Sequence, residues 1–527
     1  LSGACCKMHD ILDERVTTVE LITKKRQPLV NMNGIYLITP TRESIDLLID
    51  DFRKQQQYKS VHIFFTEACP DDLFGLLGKS KMSKYLETCK EINVAFTPSE
   101  GQVYTVDAPD ALSLYYNEQT PDGASLDLGN VAEQIATVCA TLGEYTPILR
   151  YRSSFGRNAN LLRLVESKLK KYLEDDKSIG RTVENSKSQL IILGEYGIRT
   201  LLGQIHGVQL PIYFTDRGFD AVTPLLHDLT LQALCRDLSY VDGKNQYQYW
   251  KAKRDGSQEQ REISLDENDA VWMEHRHKHI ADSSNDVRKQ VRLFRAAHPD
   301  MDDVGSMSIK HMSKMTKQIP KFQQEMALLG AHVQLNEDVL AKCLAEAGVQ
   351  SLCLAELDLI TGEDKDGERI VDRIRVFSSL LVHPNVSLED RIRLVLVYAI
   401  AQNGISDEGL DKLMQHANIP AEERETITNA GLLGINVIID GTPKRIWTPA
   451  RKSRANKYAT SRWTPIIKDV IEDAIDDKLD RRQYPCLNET ATQNYRAPTS
   501  ARHGQRLNNR AQPLQYSGPR LIIFIVG

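Results

Sequence analysis

The chain has 527 residues, 41% hydrophobic and 26% charged, and its 66 basic and 71 acidic residues leave a net charge of -5. That length exceeds what one hydrophobic core serves, so two to four domains are expected. The charge balance argues against bulk nucleic-acid binding, which needs a basic excess, and no apolar run reaches the roughly 18–20 residues of a membrane-crossing helix.

Residues 1 to about 95 repeat a strand-helix theme. Gly34–Thr39 reads as a strand. Thr41 then caps a helix with Ile45, Leu48 and Ile49 on its apolar face, ending near Phe52. Val61–Phe65 is the next strand, Pro70-Asp71-Asp72 starts the next helix, and Ile92–Phe96 reads as a third strand. Such alternation implies a parallel, doubly wound sheet. Further on, Val131, Ile135, Val138 and Leu142 share one helix face, as do Leu161, Val165, Leu169 and Tyr172. Leu190–Leu193 and Leu521–Val526 are two apolar strands far apart in sequence. The C-terminal one is expected to return to the second domain, making that domain discontinuous.

The stretch from Ser188 to Leu226 marks a change of pattern, from strand-helix alternation to residues 229–440, which read as helical. Asp216 and Asp220 lie there. An aspartate past a strand is a catalytic candidate, but Asp216 equally serves as a turn cap with Arg217 as partner. No second catalytic element accompanies the pair, which favours a structural role for both.

Met312, Met315, Ile319, Phe322, Met326, Leu329 and Val333 follow a 3-4 spacing, a heptad seam interrupted by Pro320. Two readings stand: a pair of core helices joined at the proline, or a helical hairpin that straightens and offers its methionine-rich seam to another helix. Ser387 caps a buried helix carrying Ile392, Val395, Leu396 and Ala399, and Asn403-Gly404 ends it. Residues 443–462 are basic, with Lys444, Arg445, Arg451, Lys452, Arg454 and Lys457, and read as a solvated linker first and an acidic-partner or lipid site second. Trp463-Thr464-Pro465 starts an acidic helix running to Leu479, and residues 481–520 read as a disordered loop.

Other motifs carry little chemistry. Gly78-Lys79-Ser80 lacks the strand and first glycine of a phosphate loop. His275, His277 and His279 face different ways on a helix and are interleaved with cations, so a solvated or partner-facing run is expected rather than a metal site. Asn488-Glu489-Thr490 is a glycosylation sequon only on a secreted chain. Nine scattered cysteines without a C-x-x-C pair suggest a reducing, cytosolic compartment. With no Met at Leu1 and no leader pattern, the chain reads as lacking segments at both ends.

Several stretches resemble the SM (Sec/Munc) family of syntaxin-binding proteins, nearest its exocytic, Munc-like branch. They include Cys5-Cys6-Lys7-Met8, Tyr36–Pro40, Ala132–Thr137, Asp216–Asp220, Arg276–Ala281, Ser461–Asp469 and Ser517–Phe524. The resemblance implies an α/β plus α fold: a three-domain arch of two doubly wound parallel-sheet domains and a largely helical third. Its boundaries fall at 1–95 for domain 1, 96–228 with 460–527 for domain 2, and 229–459 for domain 3, with a helical hairpin near 307–345. It implies no catalysis and no cofactor. The partners it implies are syntaxin, the assembled SNARE complex and a synaptobrevin-like vesicle SNARE, with recruitment from the cytoplasm to the plasma membrane through syntaxin.

Carried over by position, Lys7, Glu20, Lys24 and Arg26 would face syntaxin. Phe74, Leu86, Cys89 and Glu91 would form a pocket for the syntaxin N-terminal peptide, and Pro320, Met326 and Val333 would touch the vesicle SNARE. The heptad seam, found independently, agrees with the last assignment. Gln27 and Cys89 depart from the usual acid and larger aliphatic, and Gly194–Thr215 stands as an insertion between Leu193 and Asp216. The rival class is a nucleotide-binding α/β enzyme using Asp216, and the third is a helical scaffold for unrelated coiled coils.

Overall fold

The computed structural model describes residues 8–106, 108–116, 127–142, 147–175, 212–238, 240, 245–252, 257–299, 318–439, 451–452, 454–476, 478–487 and 521–526. The chain divides into two compact units, Leu1–Asp216 with Asp473–Gly527, and Arg217–Glu472.

The first unit opens with three parallel strands, β1 (Leu29–Ile38), β2 (Tyr58–Phe65) and β3 (Leu86–Glu91), in that spatial order. Side chains alternate across β1: Tyr36 and Ile38 are buried, whereas Ile35 and Leu37 remain 63% and 48% exposed. Helix α1 (Arg42–Asp51) starts where expected, with the Thr41 side chain accepting from the Ser44 N–H. Its Ile45 and Leu48 pack with Val61, Ile63 and Phe65 of β2 into one cluster. Each such fully buried aliphatic contributes roughly 1.5–3 kcal/mol. Helix α2 (Asp71–Lys79) carries Asp71 and Asp72 in its first turn and buries Leu73 and Leu77.

The third strand lies one step earlier than its apolar pattern indicates. Ile92–Phe96 follows β3 rather than forming it, because Asn93 turns left-handed at φ 52°. The segment still donates from Ile92 to the Phe65 carbonyl at 2.9 Å and from Val94 to the Thr66 carbonyl at 2.6 Å. As an edge strand, β3 mixes half-buried Leu86, Thr88 and Cys89 with charged Glu87, Lys90 and Glu91, which hides its strand signal.

A second parallel sheet orders the C-terminal strand Ile523–Val526, then β5 (Ile212–Asp216), then β4 (Leu149–Tyr151). Helix α3 (Leu128–Thr141), capped by Asp127, buries Val131, Ile135 and Val138, and α4 (Gly156–Asp175) buries Leu161, Val165 and Leu169. The strand leading into Asp216 is thus built from Ile212–Thr215, residues that the sequence comparison placed in an insertion. Ile-Tyr-Phe-Thr is itself a strong strand sequence. Leu190–Leu193 lies outside the described residues.

The Asp216 carboxylate is buried at the end of β5. Tyr116 Oη and Arg152 Nη1 donate to its Oδ1 at 2.9 Å each, and Asn158 Nδ2 donates to Oδ2 at 2.7 Å. A buried charge needs such partners, since stripping it from water costs several kcal/mol.

The second unit is largely helical, but not wholly so. Gln246–Ala252 pairs antiparallel with Gln258–Ser264, a hairpin that the sequence reading missed because its second strand is mostly polar. The helices that matter below are α5 (Ala270–His275), α6 (Ile280–Ala297), α7 (Gln318–Cys343), α8 (Leu388–Ala401) and α9 (Ile466–Ile475), the last of which begins in this unit. Helix α8 has Ser387 as its cap, accepting from the Asp390 N–H, and buries Val395, Leu396 and Ala399. Asn403 and Gly404 follow at φ 56° and 106°. A Cβ on Gly404 would lie 2.6 Å from Ile439 Cγ2, so the position requires glycine on both grounds.

Asp220 organises the start of α9. It accepts from the Thr223 N–H at 2.9 Å, the Thr223 hydroxyl at 2.5 Å and the Ile466 N–H at 3.0 Å. Helix α9 stops at Ile475, short of the expected Leu479; acids gathered at a helix C-terminus oppose its dipole. The basic stretch before it is not a free linker. Arg454 pairs with Asp469 at 2.6 Å and Glu472 at 2.8 Å, Lys452 pairs with Glu472 at 3.1 Å, and Arg451 lies 4.5 Å from the Trp463 ring centre. Lys444 and Arg445 lie outside the described residues.

Replacing Asp216 by Ala strands the Arg152 guanidinium in the interior. The expected cost is about 3–5 kcal/mol, seen as a lower denaturant midpoint with an unchanged slope.

Candidate functional site

Three surfaces carry the residues singled out in the sequence. The first lies ahead of β1. Glu20 and Lys24 are exposed, and Lys7 lies outside the described residues. Arg26 differs from these: its side chain is only 6% exposed and forms an ion pair with Asp51. Arg26 also donates to the Ile22 carbonyl at 3.3 Å, while Tyr36 donates to Asp51 at 2.9 Å. Burial, with the Asp51 charge second, pushes the Tyr36 hydroxyl far above its ordinary range. Arg26 is therefore committed to the fold of the first sheet, and its backbone positions the exposed charges before it.

The second surface is the open edge of that sheet. Leu86, Cys89 and Glu91 lie on β3, and Phe74 projects from α2, 52% exposed. Glu91 Oε1 accepts from the Cys69 N–H at 2.9 Å, tying the loop before α2 to the strand. Cys69 is the residue that sequence reasoning missed here. The signal was available in Cys69-Pro70, since a residue just ahead of a helix start sits at the sheet's C-terminal edge. Burial, helped by the charges of Cys89 and Glu91, pushes the Cys69 thiol up to about 11; burial and Glu91 raise Cys89 as well. The edge thus combines an exposed aromatic, half-buried apolar side chains and an acid, a mixture suited to a short peptide with one apolar and one basic anchor.

The third surface belongs to α7. Pro320 lies near the N-terminal end of the described stretch of that helix, Gln318–Cys343. The described helix then runs unbroken to Cys343. Met312 and Met315 lie outside the described residues. Along the seam, Phe322 stacks on Phe294 of α6 at 5.2 Å between ring centres, and Leu329 is buried. Met326 and Val333 are half-buried. Val333 and Glu337 line one wall of a cleft of about 750 Å³ whose other wall is α6, with Arg288, Lys289 and Arg292. Part of the heptad seam is therefore core, and part faces an open, cationic groove.

The histidine run corrects the expectation of a solvated patch. His275 and Arg276 are buried, and Arg276 pairs with Glu267 at 2.6 Å. His279 caps α6 by accepting from the Ala281 N–H at 3.2 Å and stacks on Tyr458 at 3.9 Å. Burial lowers the pKa of both His275 and His279. Among the described residues, no group of three or more His, Cys, Asp or Glu is arranged to hold a metal, and no helix is long and apolar enough to cross a membrane.

Two parallel sheets in one unit, with a largely helical second unit, make up the SM-protein fold. The chain overlays, at a TM-score of 0.80, on a chain of the crystal structure of the Unc18-syntaxin 1 complex from Monosiga brevicollis, with 27% identity and coverage of 99% of this chain and 85% of that one. The chain belongs to the Sec1 family, whose sequence profile matches residues 3–527. It is 29% identical over 543 residues to the protein transport protein sec1 of Dictyostelium discoideum, covering 100% of this chain and 86% of that protein. It is 27% identical over 514 residues to the SNARE-interacting protein KEULE of Arabidopsis thaliana, covering 92% and 72%.

The lowered His275 and His279 have a consequence for stability. Below the free-histidine pKa of about 6.5 the unfolded chain binds protons that the folded chain refuses, so stability rises with pH through that range. The thermal midpoint is expected to fall between pH 7.5 and pH 5 on the order of a few degrees, and His275→Gln should flatten that slope.

Proposed function

We propose that this protein is a syntaxin- and SNARE-binding regulator of vesicle docking and fusion in exocytosis, acting by binding and not by turnover. The observation that carries the reading is the match over nearly the whole chain to an Unc18 structure solved with syntaxin 1, within a family of protein transport relatives.

In this reading the chain acts as three domains, 1–95, 96–228 with 460–527, and 229–459. Syntaxin is the partner that the chain clasps. Lys7, Glu20 and Lys24 form a charged rim that sets encounter rate and register, with Arg26 holding that rim in place. Phe74, Leu86, Cys89 and Glu91 take the syntaxin N-terminal peptide. The seam of α7, at Pro320, Met326 and Val333, receives a synaptobrevin-like vesicle SNARE when the helical hairpin near 307–345 straightens, so that the protein templates assembly of the SNARE complex. The protein works from the cytoplasm and reaches the plasma membrane through syntaxin.

The test is titration of a cognate syntaxin cytosolic fragment by calorimetry, with and without its N-terminal peptide. Heat-free titration with every exocytic syntaxin offered would sink the reading. Truncating Phe74 to Ala removes an exposed aromatic anchor and is expected to weaken N-terminal peptide binding by about 2 kcal/mol. Lys24→Glu should slow association at low salt with little change in dissociation, whereas Arg26→Ala should first lower the unfolding midpoint. On the α7 seam, Val333→Asp is expected to suppress capture of the vesicle SNARE in a pull-down while leaving syntaxin binding intact.

A further inference from the structure

Cys69 and Cys89 are both placed around Glu91 at the edge strand of the first sheet. Cys89 and Glu91 are two residues apart on β3, so their side chains share one face of the strand. The Glu91 carboxylate reaches over that face to the Cys69 N–H at 2.9 Å, which draws the loop before α2 down onto it. Both sulfurs are free and half-buried, and both side chains pack against the hydrophobic cluster of that sheet. They lie close enough that the charge of one bears on the ionisation of the other. Elsewhere among the described residues, Cys139, Cys235, Cys343 and Cys353 are sealed in the interior, and Cys486 is half-buried.

We infer that Cys69 and Cys89 form a redox-active dithiol, closed by a low-molecular-weight disulfide such as oxidised glutathione into a bond that stitches β3 to the loop before α2. One thiolate attacks a sulfur of the oxidant, forming a mixed disulfide and releasing one glutathione thiolate. The second protein thiolate then attacks the protein sulfur of that mixed disulfide and expels the second glutathione. Two protein thiols are oxidised, one oxidant disulfide is reduced, and the two protons end on the two glutathione molecules. Because burial and the neighbouring acids hold both thiols in the protonated form, the exchange is slow near neutrality and quickens as pH rises. The closed form ties the edge strand covalently to the loop before α2. Its effect on peptide capture rests on the pocket proposed above.

The full-length protein is incubated with oxidised glutathione at pH 8, its remaining thiols are alkylated, and its peptides are mapped by mass spectrometry without reduction. A linked Cys69–Cys89 peptide pair, released by dithiothreitol, is the expected result. In Cys69→Ser the pair is absent and a glutathione adduct persists at Cys89. Separate adducts on both residues of the natural chain, or two alkylated thiols, overturn the inference. On the same samples, binding of a synthetic syntaxin N-terminal peptide is expected to weaken about tenfold on oxidation. A linked pair with unaltered peptide affinity would leave the dithiol standing and remove the peptide from this edge.

Discussion

A carboxylate with no water around it has to be answered by donors, and the five residues from Asp216 to Asp220 meet that demand twice. Asp216 gathers Tyr116, Arg152 and Asn158 at the end of a parallel strand, so the loop after β4, the start of α4 and the Tyr116 hydroxyl all converge on one group. Asp220, four residues later, fixes Thr223 and the first turn of α9, which is more than two hundred residues away in sequence. Both carboxylates are fully used in holding backbone and side chains in place. Each oxygen of both carboxylates accepts at least one hydrogen bond. The same residues that suggested chemistry in the sequence are those that make the scaffold stiff enough to present surfaces to other proteins.

Charge is distributed on the same principle. Arg454 and Lys452 pair with Asp469 and Glu472, and the exposed Lys457 reaches Asp282, so this stretch packs along α9 and α6. Arg26 is spent on Asp51. Glu20 and Lys24 on one unit, and the Arg288, Lys289 and Arg292 wall of the cleft on the other, are among the charges that remain exposed. Arg288 reaches Glu337 at 3.2 Å, but both side chains are about half-exposed, and such a pair is worth little in water. Exposed charges of this kind steer encounters without committing the molecule to one partner.

The alternation of apolar strands and amphipathic helices was legible because Tyr36, Val61, Ile63, Leu48 and Val165 obey the periods of their elements and are buried as those periods require. Caps at Thr41 and Ser387 were legible for the same local reason. Failures cluster where tertiary context overrides pattern. Edge strand β3 is half polar, the hairpin at Gln246–Ser264 is polar on most positions, and the histidines at 275 and 279 were judged by their charged neighbours although packing buries or stacks them. Site residues came from resemblance, and physical chemistry then sorts them: exposure fits Phe74 and Lys24 for contact, while burial gives Arg26 a supporting task. Cys69 escaped notice because only folding brings it beside Cys89.

Pro320 places a thermodynamic condition on any helix that includes it. At a first turn its ring costs nothing, whereas in a helix interior, against a carbonyl one turn earlier, it costs about 3 kcal/mol. That is a bias of roughly two orders of magnitude in population against a helix running straight through it. A partner that recognises such a helix has to supply that much from its own contacts, so one imino acid sets a threshold that weak or mismatched helices do not meet.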